Sequence, residues 1–449
     1  MTLVSPSALA AGKPKTPPLP RVGDVLIAGG IAPGGSATSS AEFYSVAKHR
    51  FFPTGAMSTA RAGHQTNWAP ASPERTKNHG VAIGGFTGTA ALTGTSITYT
   101  MTTLNNADVY DPATGTFTLD QAPEGATMTN GRAFFSSIAF PGNLSTQSLQ
   151  GHMLIVGGLC DSPTLDGCRT ANILHPDDDK ITTTSNPKVA NMLATLTNLQ
   201  DGTVLLAGGI EDFSGSITNT GEIFTPPNEF FTTITALMTQ ARAGHTATLL
   251  NDGTVLITGG IVNVSGTMTA VNTAEIYNPT SQTFTAITAP MNASRVGHTA
   301  TLLNDGTVLI AGGFNGTANV TLAGTVDGDT LTFSNANGSI LNTAEIYDPT
   351  TMTFACVGGP NKNSGQCSRS LRSPRVSHTA TELADGSVLL TGGFSPGKKN
   401  TITELNTGEL FVQMPKKNSP GVSIATGKFI NAGKMTTGRA LHTATLVQP

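Results

Sequence analysis

Residues 241–260, ARAGHTATLLNDGTVLITGG, followed by 272–287, NTAEIYNPTSQTFTAI, decide the fold. HTATLL has the polar–apolar mixture of a half-buried strand. Asp252-Gly253 behind it is a strong hairpin signal, because Asp-Gly accepts the positive φ that tight turns demand. TVLITGG is a continuous apolar run, suited to burial on both faces. TAEIY and TFTAI are two further strands, joined by a turn at Asn278-Pro279. Four short antiparallel strands, here a to d, make one blade of a propeller.

The unit recurs. It returns at 294–313 with 342–357, and again at 375–393. A glycine pair closes an apolar run seven times, at Gly29-Gly30, Gly84-Gly85, Gly157-Gly158, Gly208-Gly209, Gly259-Gly260, Gly312-Gly313 and Gly392-Gly393. Successive spacings of 55, 73, 51, 51, 53 and 80 residues define a period near 50 with two insertions. A period of that length is the mark of a repeat architecture. The first complete signal is a strand b, Asp24–Gly30, and the last is an orphan strand a, Arg439–Val447. The expectation is an all-β, seven-bladed β-propeller over residues 22–449, closed by the C-terminal strand completing blade 1. Closure of this kind leaves only short, protected sheet edges.

On the double glycines and the spacing of strands c and d, the chain from residue 22 onward resembles the Kelch-repeat family. The stretch Arg295–Gly313 is also similar to the propeller blade of copper-radical galactose oxidases, in which a Tyr-His pair binds copper. His298 matches that histidine, but Gly297 stands where the tyrosine is required. The resemblance therefore implies the blade without the radical-copper site.

Residues 1–21 read differently. MTLVSPSALAAG carries an Ala8-Leu9-Ala10 step like a signal-peptidase site, and KPKTPPLP is extended because proline fixes φ. The segment is expected to be a signal remnant or a disordered Pro-rich tail. The four cysteines form two close pairs, Cys160 with Cys168 and Cys356 with Cys367, without zinc-finger spacing. Two local disulfides follow, and with them a secreted, periplasmic or cell-surface location. Charged residues are only 12 % of the chain and the net charge is −3. That balance excludes a nucleic-acid footprint, and no apolar run is long enough for a membrane span.

Most strands a are preceded by an arginine, and most strands c carry an acid. Pairing each acid with the arginine opening the next blade gives Glu42–Arg61, Asp108–Arg132, Glu222–Arg242, Glu275–Arg295, Glu345–Arg375 and Glu409–Arg439. Asn172 and Asn191 fall together in the remaining slot. The expectation is a ring of structural ion pairs between blades, interrupted once, since one buried partner alone is costly.

In a four-stranded meander the b–c and d–a connections share one face. Blade 2 has a long b–c connection (86–105), and blade 6 a longer one (314–341) that reads as an extra hairpin. The Cys160–Cys168 and Cys356–Cys367 segments decorate the same face, which is the expected site for a protein or glycan partner. Five histidines, His64, His245, His298, His378 and His442, open strand a, with Phe135 and Ala194 in blades 3 and 4. Repetition favours a structural role for these rings. Clustered near the axis they could instead hold a transition metal. The function expected is a non-catalytic binding or extracellular structural module without a cofactor. The alternative is a metal-assisted enzyme or polysaccharide lyase built on these histidines.

Overall fold

The computed structural model describes residues 18–69, 78–93, 96–120, 127–141, 151–160, 168–175, 180–212, 215–325, 328–361, 365, 367–368, 370–398, 401–414 and 426–448. Of residues 1–21, expected to be a signal remnant or a disordered Pro-rich tail, 1–17 lie outside them, as do 70–77 and 142–150 in the a–b connections of blades 2 and 3. Within the described residues the chain forms seven four-stranded antiparallel sheets arranged as a ring. Blade 5 shows the plan: Thr246–Leu249 pairs with Val255–Thr258, which pairs with Ala274–Asn278, which pairs with Thr283–Ala286. The ring closes where Thr443–Leu446 pairs with Val25–Ala28, in a register matching Val25 to Leu446 and Ala28 to Thr443.

Strand b is buried along its whole length in every blade, as in Val255–Thr258 and Val308–Ala311. Strand a is only half-buried, as in Thr246–Leu249 and Thr299–Leu302. The cores accordingly lie between neighbouring blades. Leu199, Leu205 and Ala207 of blade 4 pack with Val255, Ile257, Tyr277 and Phe284 of blade 5. Replacing one such leucine by alanine typically costs about 2–5 kcal/mol.

The double glycine has a steric cause. Gly259 and Gly260 have φ of 64° and 95°, in the left-handed region that glycine enters without strain. A Cβ on Gly259 would lie 2.5 Å from the Arg295 carbonyl oxygen, and one on Gly260 would lie 2.6 Å from that of Ala243. Backbone from the neighbouring strand a comes too close for any side chain. In exchange, the Gly260 amide donates to the Arg295 carbonyl at 2.8 Å, a main-chain bond between blades. The equivalent bond recurs from Gly30 to Arg61, Gly85 to Arg132, Gly158 to Asn191, Gly209 to Arg242, Gly313 to Arg375 and Gly393 to Arg439.

Candidate functional site: the capped end

The repeated charges pair within blades, which corrects the expected between-blade scheme. Nη2 of Arg295 meets Glu345 at 2.6 Å, and the same geometry joins Arg61 to Asp108, Arg242 to Glu275, Arg375 to Glu409 and Arg439 to Glu42. The reason lies in the backbone. While the arginine carbonyl reaches back to the preceding blade, its side chain turns forward, and Nη1 of Arg295 donates to the Gly312 carbonyl at 2.8 Å. The acid also fastens the incoming connection: Glu345 accepts from the Asn292 and Ala293 amides at 2.6 and 3.2 Å. Burial pulls the Arg242 guanidinium below its ordinary value, and Glu275 pushes it back up.

The exceptions obey the within-blade rule too. Arg132 donates to Asn172 Oδ1 at 2.7 Å, where the other blades place a carboxylate. Asn191 Nδ2 takes the glycine carbonyl, Gly208 at 2.8 Å, that arginine Nη1 takes elsewhere. Glu222 accepts the Lys188 amide at 3.0 Å, and burial raises its carboxyl above the usual range. Neutral amides and backbone can thus satisfy these buried groups, so the shared loss at Asn172 and Asn191 carried no pairing information.

The histidines, by contrast, bridge blades through their side chains. His298 Nε2 meets Thr246 Oγ1 of blade 5 at 3.1 Å and Thr258 Oγ1 at 3.3 Å. His64 reaches Thr443 at 3.1 Å, His245 reaches Thr195 at 3.0 Å, His378 reaches Thr299 at 3.2 Å, and His442 reaches Thr379 and Thr391 at 3.2 and 3.0 Å. Every one of these threonines belongs to the preceding blade. Burial, then the adjacent arginines, push His245 and His298 down to about 3 and His64, His378 and His442 well below 6.5. All five rings are neutral at physiological pH. Among the described residues, no three of His, Cys, Asp or Glu come together as a metal would require.

The residue before each of these positions forms a ring of its own. Gly63, Phe134, Leu193, Gly244, Gly297, Ser377 and Leu441 all have φ between 53° and 62°. Six main-chain bonds run around them, including Gly63 to Leu441 at 2.9 Å and Gly244 to Leu193 at 2.8 Å. Holding four non-glycine residues in this region costs on the order of 1 kcal/mol each. Glycine at three of the seven positions was the signal sequence reasoning passed over. Phe134, Leu193 and Leu441 pack with Ala62, Ala133, Met192, Ala243 and Ala440 in one apolar cluster.

Above that cluster the insertions combine. Blade 2 contributes the hairpin Phe86–Thr93 with Ser96–Thr103, blade 5 contributes Ile261–Val264 with Thr267–Ala270, and blade 6 contributes Thr317–Thr325 with Gly328–Asn337. They join edge to edge into one six-stranded sheet. Blades 2 and 6 stand on opposite sides of the ring, yet their strands pair directly, Tyr99 with Leu331 and Thr98 with Thr332. The sheet therefore crosses the axis as a cap. Period-2 alternation sorts its faces. Tyr99, Met101, Met268 and Leu331 point down into the apolar cluster, with Tyr99 ringed by Phe86, Phe134 and Phe333 at 6.2–6.3 Å. Thr87, Thr89, Thr98, Thr100, Thr102, Thr330 and Thr332 alternate with them on the outer face, uncharged.

The expected extra hairpin in blade 6 is present, together with two that join it. The elaborated face is closed at its centre, which sequence reasoning did not anticipate. Cys160 bonds Cys168 and Cys356 bonds Cys367, with Cα–Cα distances of 5.5 and 5.1 Å. Beside the cap, between blades 5 and 6, lies a pocket of about 280 Å³ lined by Asn272, Asn292, Ser294, Asn315, Leu341 and Thr343, with Cys367 at its wall.

These features define the class of protein: a disulfide-bearing seven-bladed β-propeller with one end sealed by a cross-axis sheet. No family model and no curated protein matches the chain. Among solved structures, one titled "Structure of YjhT" aligns with 81 % of this chain and 99 % of its own, at 12 % identity and a TM-score of 0.48. The assignment of fold rests on the strand pairings above. Among the described residues no helix is long and apolar enough to cross a membrane.

Proposed function

We propose that this chain is an exported Kelch-type propeller and a non-catalytic binding module, engaging a protein or glycan with the outer surface of its capped end. One observation carries the reading: three insertions from separate blades are spent on a single continuous surface across the axis. Ordering those 43 strand residues has a large entropic cost, on the order of 1 kcal/mol or more each. A rigid, uncharged, hydroxyl-covered platform is what that ordering supplies. The two disulfides support a secreted, periplasmic or cell-surface setting. The five histidines act in this reading as fasteners between blades, since a metal would have to draw them off their threonines.

The test uses the intact protein, fluorescently labelled, on a panel of purified extracellular polysaccharides and glycoproteins. Thr100→Lys with Thr332→Lys places charge on the outer face of the cap, and Ser281→Lys places it on the opposite end. Binding lost only in the cap variant, with unchanged melting, supports the proposal. Equal binding by both variants, or no binding by the wild type, refutes it.

A further inference from the structure

The geometry points to the pocket between blades 5 and 6 as a binding site for a single neutral sugar ring. This rests on the reading of the capped end as the binding face and names a ligand class for one place on it. A volume of about 280 Å³ sits just below the range of roughly 300–1,000 Å³ usual for small-ligand sites, so one ring fits and an extended ligand does not.

The lining is uncharged and mixes polar with apolar side chains, and its amides are already oriented. Asn272 donates Nδ2 to the Met291 carbonyl at 3.0 Å, which leaves its Oδ1 as an acceptor. Asn292 donates Nδ2 to Glu345 at 2.8 Å, which likewise leaves an amide oxygen. Asn315 is turned the other way, its Oδ1 accepting from the Ser339 amide at 2.8 Å, so its Nδ2 remains to donate. Thr343 Oγ1 accepts from Arg295 at 3.1 Å and keeps its proton to give. The Ser294 hydroxyl makes no bond to the described residues and can do either. The lining thus offers both acceptors and donors within one small space. Vicinal ring hydroxyls, each of which donates and accepts, match that pattern. Leu341, 9 % exposed, offers an apolar surface for the C–H face of a ring.

The charge nearby is consumed. Both Glu345 oxygens are taken by Arg295, Asn292 and Ala293, so the ion pair holds the floor without presenting a field to a ligand. An anionic sugar would lose hydration and gain no counter-charge from the lining. Because each amide is fixed by an internal partner, little ordering is needed on binding.

The experiment is saturation-transfer NMR with titration calorimetry on the full chain. The probes are the methyl glycosides of glucose, galactose, mannose and N-acetylglucosamine, with glucuronic acid as the charged comparison. At least one neutral glycoside binds and glucuronic acid does not. Ser294→Ala weakens that binding roughly three- to tenfold, the usual effect of losing one neutral hydrogen bond. Ser294→Phe fills the pocket and abolishes it. Melting temperatures stay level; should Ser294→Phe misfold, Asn315→Leu, at an exposed position, serves instead. Silence from all four glycosides, binding that survives pocket filling, or equal binding of glucuronic acid overturns the assignment. If the glycosides fail while the cap-face lysines still abolish binding to the wider panel, only the sugar pocket falls. If the glycosides bind and the lysines have no effect, the cap surface falls and the pocket stands.

Discussion

Each strand-a histidine sits where a charge cannot be tolerated, and that makes acid the weak point of the fold. The folded rings protonate only at about 3 for His245 and His298, and well below 6.5 for the other three, whereas unfolded histidine protonates near 6.5. The unfolded state therefore binds protons first as pH drops. The stabilising contribution is complete above about 6.5 and is lost as pH falls toward about 3. Each ring contributes a slope of up to about 1.4 kcal/mol per pH unit in that window. Urea unfolding at pH 7, 6 and 5 will show stability dropping more steeply than one titrating group allows. His298→Gln, which retains a partner for Thr246, will be less stable at pH 7 but show a shallower slope. An identical slope in that variant would remove His298 from the account. The histidines were legible as a repeated feature, but their partners were not. A single strand does not reveal which neighbour faces its side chains, and the arginines misled for the same reason.

At the scale of strands and hairpins, the local signals were sufficient. Asp252-Gly253, Asp305-Gly306 and Asp385-Gly386 each make the expected tight turn, with the aspartate carboxylate accepting from the residue two places on. The glycine pairs mark the end of strand b because main chain from the neighbouring blade leaves no room there. The cap was legible only in pieces. The Thr98–Thr332 contact joins residues 234 apart, and nothing in either hairpin's alternation names its partner. The cross-axis pairing makes a direct prediction. With their hydroxyl oxygens 3.1 Å apart, Thr98→Cys and Thr332→Cys together will form a disulfide under mild oxidation. Non-reducing peptide mapping reads the linked fragments. Two free thiols under conditions that preserve Cys356–Cys367 would mean that the hairpins of blades 2 and 6 do not pair in solution.

For the whole molecule, closure through strand a of blade 1 was readable because the pattern begins at strand b and ends on strand a. That strand brings Arg439 to Glu42, and its loss would uncover Val25–Ala28 along an open edge. Deleting residues 438–449 will prevent cooperative folding, judged by the absence of a sharp thermal transition in circular dichroism. A truncated chain melting like the full one would contradict this. The cap adds a constraint of another kind. A plain ring of repeats can gain or lose a unit by duplication or deletion and re-close at a slightly different diameter. Here the strands of blades 2 and 6 form a chord of fixed length across the circle. Adding a blade would lengthen the distance that chord must span and pull the two hairpins out of register. The cap thus acts as a gauge that holds the blade number at seven.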